Sequence, residues 1–91
     1  MTYKVLFSKN ARKQLKKLDP AVARTLFRWI DKNLDGCEDP RIHGKGLTAN
    51  RSSEWRYRVG KYRIIAKIVD DKLIINVIKV GLRNNVYTDR K

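Results

Sequence analysis

The chain has 91 residues, enough for one domain (1–91) with a single small core and too few for separate substrate and cofactor modules. Its formal charge of +13, from 22 Lys and Arg against 9 Asp and Glu, exceeds the magnitude of about 2 to 8 usual for a small domain. A polyanionic partner is therefore expected: nucleic acid, an acidic membrane surface or an acidic protein. Cys37 and His43 are the sole residues of their kinds, which excludes an internal disulfide and leaves two donors where a structural zinc site uses four, so no cofactor is expected. No apolar run approaches the ~20 residues of a membrane helix, and Met1-Thr-Tyr-Lys does not begin a signal peptide, so the expected location is the cytoplasm, with no membrane partner.

Tyr3 to Phe7 is a short β-prone run, and Ser8 stands where an N-cap would open a helix. Ala11, Leu15 and Leu18 follow at helical spacing, with Lys9, Arg12, Lys13, Lys16 and Lys17 on the other face. Asp19-Pro20 marks a boundary, since proline disfavours helix in the residue before it and suits the first turn of a new one. Val22, Leu26, Trp29, Ile30 and Asn33 or Leu34 then give a second helix of about four turns, ended by Asp35-Gly36. Such a helical hairpin has two apolar stripes that must cover a sheet. Its outward Lys and Arg residues read as an ordinary solvated surface.

Residues 37–53 read as an irregular connection, broken by a proline and two glycines and expected to be pinned to the core by Ile42 and Leu47. Strands begin at Glu54. A two-residue turn at Gly60-Lys61, with glycine supplying the positive φ of a II′ turn, fixes the register: Val59 pairs with Tyr62, Arg58 with Arg63, Tyr57 with Ile64, Arg56 with Ile65 and Trp55 with Ala66. One face then collects Trp55, Tyr57, Val59, Tyr62, Ile64 and Ala66, and the other Arg56, Arg58, Arg63 and Lys67. After a turn at Asp70-Asp71, the nearly continuous apolar run Leu73 to Val80 reads as a strand buried on both faces at the centre of the sheet. The fold class is thus α+β: an N-terminal strand and helical hairpin packed on a twisted, mostly antiparallel, four-stranded sheet.

The pair Arg58 and Arg63 carries the chemistry, because like charges directly opposite each other cost a sheet roughly 0.2 to 1 kcal/mol. Arginines converging on one face suit a phosphate, to which each guanidinium donates two charge-assisted hydrogen bonds. The structural alternative is an edge hairpin guarded against aggregation by charge. Glu54 falls on the same face, as a partner for Arg56 or as a general base. His43 is a candidate for acid–base work by residue type alone, and a solvated loop residue otherwise. Trp29, Trp55, Tyr57 and Tyr62 fall on core faces. Tyr87 stands in a polar tail where nothing obvious would bury it.

Three stretches resemble the RelE toxin family within the larger RelE/ParE superfamily: Ser8-Lys-Asn-Ala-Arg-Lys-Gln-Leu-Lys-Lys-Leu-Asp19, Trp55-Arg-Tyr-Arg-Val-Gly-Lys-Tyr-Arg-Ile-Ile65 and Val77-Ile-Lys-Val-Gly-Leu-Arg-Asn-Asn-Val-Tyr87. The resemblance implies a ribosome-dependent endonuclease that cuts mRNA in the decoding site without metal. In that reaction a ribose 2′-hydroxyl attacks the adjacent phosphate and leaves a 2′,3′-cyclic phosphate and a 5′-hydroxyl. It implies as partners the ribosome, mRNA and a cognate acidic, RelB-like antitoxin, which is expected to be partly helical and to cover the basic surface. Its functional positions fall on Arg56, Arg58, Arg63, Arg83 and Tyr87. Arg63, assisted by Arg56, is expected to stabilise the charged transition state, Arg83 to stabilise or protonate the departing 5′-oxygen, and Tyr87 to stack on or orient a base. Lys45, Arg51, Lys61 and Lys67 are the further cations expected to hold RNA. Some relatives carry lysines where this chain has Arg56 and Arg58, which leaves the general base open among Tyr87, Glu54 and ribosomal groups. Two other readings stand beside this one: a ParE-like toxin that inhibits DNA gyrase without nuclease activity, and a non-catalytic RNA-binding module.

Overall fold

Ser8 opens the first helix as its residue type suggests. Its backbone is extended, and its hydroxyl accepts a hydrogen bond from the Ala11 N–H at 3.0 Å, satisfying one of the orphan donors of the first turn. In the computed structural model, which describes residues 1–46 and 54–82, this helix is α1 (Lys9–Lys17), preceded by strand β1 (Lys4–Phe7). Asp19 caps α2 (Pro20–Asn33) by accepting from the Ala21 N–H at 2.9 Å, and Pro20 takes the first helical position, where its missing N–H costs nothing. Gly36, at φ +83°, turns the chain out of α2.

The remaining strands are β2 (Lys45–Gly46), β3 (Glu54–Val59), β4 (Tyr62–Val69) and β5 (Ile74–Leu82), with a 3₁₀ turn at Asp70–Lys72 between the last two. Among the described residues they form one five-stranded sheet in the order β1-β5-β4-β3-β2, in which only the β1–β5 pairing is parallel. The helices lay their apolar stripes against it: Ala11 and Leu15 of α1, with Leu26 and Ile30 of α2 and Leu34 beyond it, are buried in one cluster with Tyr57, Ile64, Ala66, Ile75, Val77 and Val80.

Four expectations need correction. The sheet has five strands, not four, because residues 45–46 leave the connection to pair with β3. Its centre is β4, since β1 adds to the far side of β5. Nor is β5 buried on both faces: Ile75, Val77 and Val80 are buried, while Ile74, Asn76, Ile78 and Lys79 are only partly so, because the helices cover one face alone. Finally, Ile42 does not pin the connection; it is 70% exposed, and Leu47 lies outside the described residues.

Polar and aromatic groups hold that connection instead. The Tyr57 hydroxyl donates to the Pro40 carbonyl at 2.7 Å, and the Trp55 indole N–H donates to the His43 carbonyl. Arg41 makes two 3.0 Å hydrogen bonds to the Asp70 carboxylate and stands over the Trp55 ring. Residues 40–46 thereby form a strap running across one end of the sheet to its edge.

Candidate active site

The hairpin β3–β4 adopts the expected register. Gly60 carries φ +61° and Lys61 does not share a positive φ, as a II′ turn requires. Val59 pairs with Tyr62, Arg58 with Arg63, Tyr57 with Ile64, Arg56 with Ile65, and Trp55 with Ala66. Strand alternation therefore sends Tyr57, Ile64 and Ala66 into the helix-covered core and Arg56, Arg58 and Arg63 to the opposite face.

The neighbouring strands extend this face in rows. Lys45 of β2 lies directly opposite Arg56, and Lys79 of β5 lies opposite Ile65, giving the row Lys45, Arg56, Ile65, Lys79. The adjacent row is Arg58, Arg63 and Gly81, and beyond Arg56 on the other side come Glu54, Lys67 and Asn76. A register shift sets the row positions on β5: Ile65 pairs with Lys79 but Ala66 with Val77, so Ile78 is an extra residue in a β-bulge. Ser8 and Asn10 side chains both donate to the Ile78 carbonyl, at 3.3 and 3.2 Å, and Gln14 accepts from the Val80 N–H at 2.7 Å. Helix α1 thus holds the bulge.

A cleft of about 260 Å³ opens on this face, lined among the described residues by Gly44, Lys45, Arg56, Arg58 and Arg63. Two directly opposed cation pairs, Lys45 with Arg56 and Arg58 with Arg63, meet there. Arg63, on the central strand, is only 4% exposed; Arg56 is half-buried, and Arg58 and Lys45 are exposed. The cleft therefore offers charge at graded depths, with a deep guanidinium and exposed cations at the rim.

The other candidates lie elsewhere. Lys61 is exposed in the hairpin turn, and Lys67 is exposed opposite Glu54; neither lines the cleft. His43 packs edge-on against Trp29, with ring centroids 5.7 Å apart, as part of the strap. Burial pushes the Tyr57 phenol well above its usual range, in keeping with its place beside Trp29 in the core. Arg51, Arg83 and Tyr87 lie outside the described residues. Two residues escaped sequence reading. Gly44 was one of two glycines in the connection, and Lys79 one of two polar interruptions, with Asn76, in an apolar strand. Among the described residues no cluster of three or more His, Cys, Asp or Glu is placed to hold a metal, and no helix is long and apolar enough to cross a membrane.

A second, apolar cleft of about 370 Å³ lies between β1 and the helices, lined by Phe7, Arg12, Leu15, Lys16 and Phe27. Phe7 and Phe27 meet edge to face at 5.5 Å, and Phe27 remains 42% exposed.

The sequence profile of the family described as the ParE toxin of type II toxin–antitoxin systems matches residues 5–87, and the chain belongs to this family of toxins. Within it, the similarities are to proteins of the RelE type. A RelE-like toxin protein of Escherichia coli is 30% identical over 90 residues, covering 96% of this chain and 92% of that protein. The mRNA interferase toxin RelE of Escherichia coli K12 is 29% identical over 92 residues, covering 98% and 94%. Among solved structures, the toxin–antitoxin complex RelBE2 of Mycobacterium tuberculosis superposes with a TM-score of 0.80 at 26% identity, covering 91% of this chain and 93% of that one. The intact Escherichia coli RelBE complex gives 0.72 at 26% identity, covering 89% and 96%. The chain is a RelE-type toxin with the α+β fold of these neighbours.

Proposed function

We propose that this toxin is a ribosome-dependent endoribonuclease that cuts mRNA in the decoding site, by attack of a ribose 2′-hydroxyl on the adjacent phosphate and without metal. One observation carries the reading: Lys45, Arg56, Arg58 and Arg63 converge on a single cleft, in two opposed pairs that work against sheet stability. In-line attack on a phosphodiester builds negative charge on its non-bridging oxygens. Cations already fixed around that position stabilise the transition state more than the ground state. Arg63, held deep on β4, is assigned to those oxygens together with Arg56, while Arg58 and Lys45 at the rim grip the RNA backbone. Arg83 is assigned to charge at the departing 5′-oxygen and Tyr87 to a base, both on the strength of the resemblance. Arg51, Lys61 and Lys67 are assigned to RNA backbone beyond the cleft.

The partner is proposed to be an acidic antitoxin of the RelB type. The +13 charge and the apolar cleft bordered by Arg12 and Lys16 suit a segment with one apolar and one acidic face. Action in the cytoplasm follows from the proposed substrate.

The test is primer-extension mapping of mRNA in a reconstituted translation mix, with wild type beside Arg63→Ala and Arg83→Ala. Cuts at translated codons that require ribosomes and vanish in both variants are expected. A second reading, inhibition of DNA gyrase without nuclease activity, is favoured by the ParE description of the matching family. Intact mRNA together with gyrase inhibition would select it.

A further inference from the structure

We propose that Lys79 holds a second phosphate of the bound RNA, next along the backbone from the scissile one, and that Asn10 and Gln14 of α1 are the residues that position it. The inference rests on the ribonuclease reading above and extends the site from the cleft to strand β5. Alternation along β5 shows how a cation comes to stand there. Ile75 and Val77 lie in the helix-covered core, opposite Ile68 and Ala66. Uninterrupted, a period of two would send Lys79 into that core and leave Ile78 and Val80 on the arginine face. The extra residue at Ile78 inverts the strand beyond it. Val80, only 2% exposed, joins the core opposite Ile64, while Lys79 and Gly81 come to the open face opposite Ile65 and Arg63.

Helix α1 holds this inversion from the other side of the sheet. The Ile78 carbonyl accepts from Asn10 at 3.2 Å and from the capping Ser8 at 3.3 Å, and the Val80 N–H donates to Gln14 Oε1 at 2.7 Å. These bonds fall on the residues immediately before and after Lys79, so the backbone is fixed on both sides of it. Charge that guards a sheet edge does not account for the residue, because β5 is flanked by β1 and β4 and presents no open edge. Nor is Lys79 a fully solvated surface lysine; it is half-buried, beside Ile65 at 3% exposure.

The placement suits a phosphate beside the one in the cleft. Lys79 shares its row with Arg56 across Ile65, two strand spacings or about 10 Å away at the backbone. It stands two residues along β5 from Gly81, which lies directly opposite Arg63. Glycine has no side chain, so β5 sets no group of its own between the deep guanidinium and the ammonium. A chain whose scissile phosphate sits at Arg56 and Arg63 therefore passes Lys79 on one continuous face. There an ammonium, a compact point charge, can hold the oxygens of a phosphate that does not react.

The experiment uses ribosomes programmed with mRNAs in which the linkage on one or the other side of the scissile phosphate is a neutral methylphosphonate. Each carries a 2′-deoxyribose beside that linkage for stability and is compared with the same deoxy substrate bearing an ordinary phosphate. Lys79→Gln is expected to raise KM about tenfold with kcat little changed, because the lost contact is equally strong in ground and transition states; Lys79→Arg should restore most of the loss. Neutralising the contacted linkage should cost wild type the same factor and Lys79→Gln nothing further. Asn10→Ala and Gln14→Ala should raise KM in the wild-type background and leave it unchanged in the Lys79→Gln background, whereas a general loss of folding would carry over into both. Losses that multiply at both flanking linkages, a fall in kcat alone, or full activity of Lys79→Gln would each overturn the proposal, and these outcomes decide Lys79 even if the α1 variants do not fold. If wild type cut none of the RNAs, the ribonuclease reading itself would fall and this inference with it, a pattern distinct from failure of Lys79 alone.

Discussion

Gly44 and the backbone carbonyl of Arg56 are in such close approach that a single methyl group on Gly44 would lie 2.0 Å from the Arg56 oxygen and 3.0 Å from the Tyr57 ring. Gly60 is the useful contrast, since it too has a positive φ, +61°, yet a Cβ there meets nothing within 4 Å. Gly60→Ala should cost only the left-handed backbone penalty of about 1 to 2 kcal/mol. Gly44→Ala must also push the strap off β3, and is expected to cost clearly more and to abolish cleavage by separating Lys45 from Arg56. Urea denaturation of both variants checks this; equal losses would mean that the close approach is not a constraint.

Arg58 faces Arg63 across the hairpin, and Arg58 is the exposed member. Replacing it with glutamine should relieve a like-charge pair and stabilise the fold by roughly 0.2 to 1 kcal/mol, a rise of a few degrees in Tm, while RNA cleavage falls. A lower Tm in Arg58→Gln would show that the pair is not a cost to the sheet.

The Tyr57 hydroxyl donates to the carbonyl of fully buried Pro40 at 2.7 Å. Tyr57→Phe leaves that acceptor without its donor, at an expected cost of about 1 to 3 kcal/mol. The same variant should speed hydrogen exchange of the backbone around residues 40–46. Unchanged exchange there would locate the strap's anchor elsewhere.

Asp70 is bound by Arg41 through two 3.0 Å hydrogen bonds and by the Tyr3 hydroxyl at 2.7 Å. The Arg41 bonds first, and the Tyr3 bond second, hold the Asp70 carboxyl below its ordinary range, so this contribution is present above about pH 4 and lost as the pH falls through the depressed value. The Tyr3 phenol, held above its ordinary range chiefly by donating to Asp70, behaves oppositely: its contribution is present below about pH 10 and lost at higher pH. An ion pair this exposed is worth at most about 1 kcal/mol. Asp70→Asn should therefore flatten both ends of the stability–pH curve, and added salt should shrink the wild-type difference. A variant curve parallel to wild type at both ends would contradict the assignment.

The arginine face is legible in the residues of the hairpin itself, because a two-residue turn leaves one pairing and the period of two does the rest. The helices are legible for the same local reason, with Ser8 and Asp19 announcing their starts. What escapes reading depends on contacts remote in sequence. The bulge that sets Lys79 beside Ile65 is held by Ser8 and Asn10, which lie 70 and 68 residues from Ile78. Strand β2 pairs with β3 just beyond Gly44, whose lack of a Cβ admits the Arg56 carbonyl. Ile42 reads as an anchor from its hydropathy, yet the strap is secured by a tyrosine, a tryptophan and an ion pair, leaving the isoleucine in water.

The parallel pairing of β1 with β5 joins the two ends of the fold, Lys4 with Ile74 through Phe7 with Val77. Contacts so distant along the chain are entropically expensive to close and slow to form. During synthesis, the first strand emerges with no neighbour to accept it until the last strand follows. Helix α1 likewise lacks the bulge it must grip. A nascent toxin is consequently without its finished sheet until β5 has been translated.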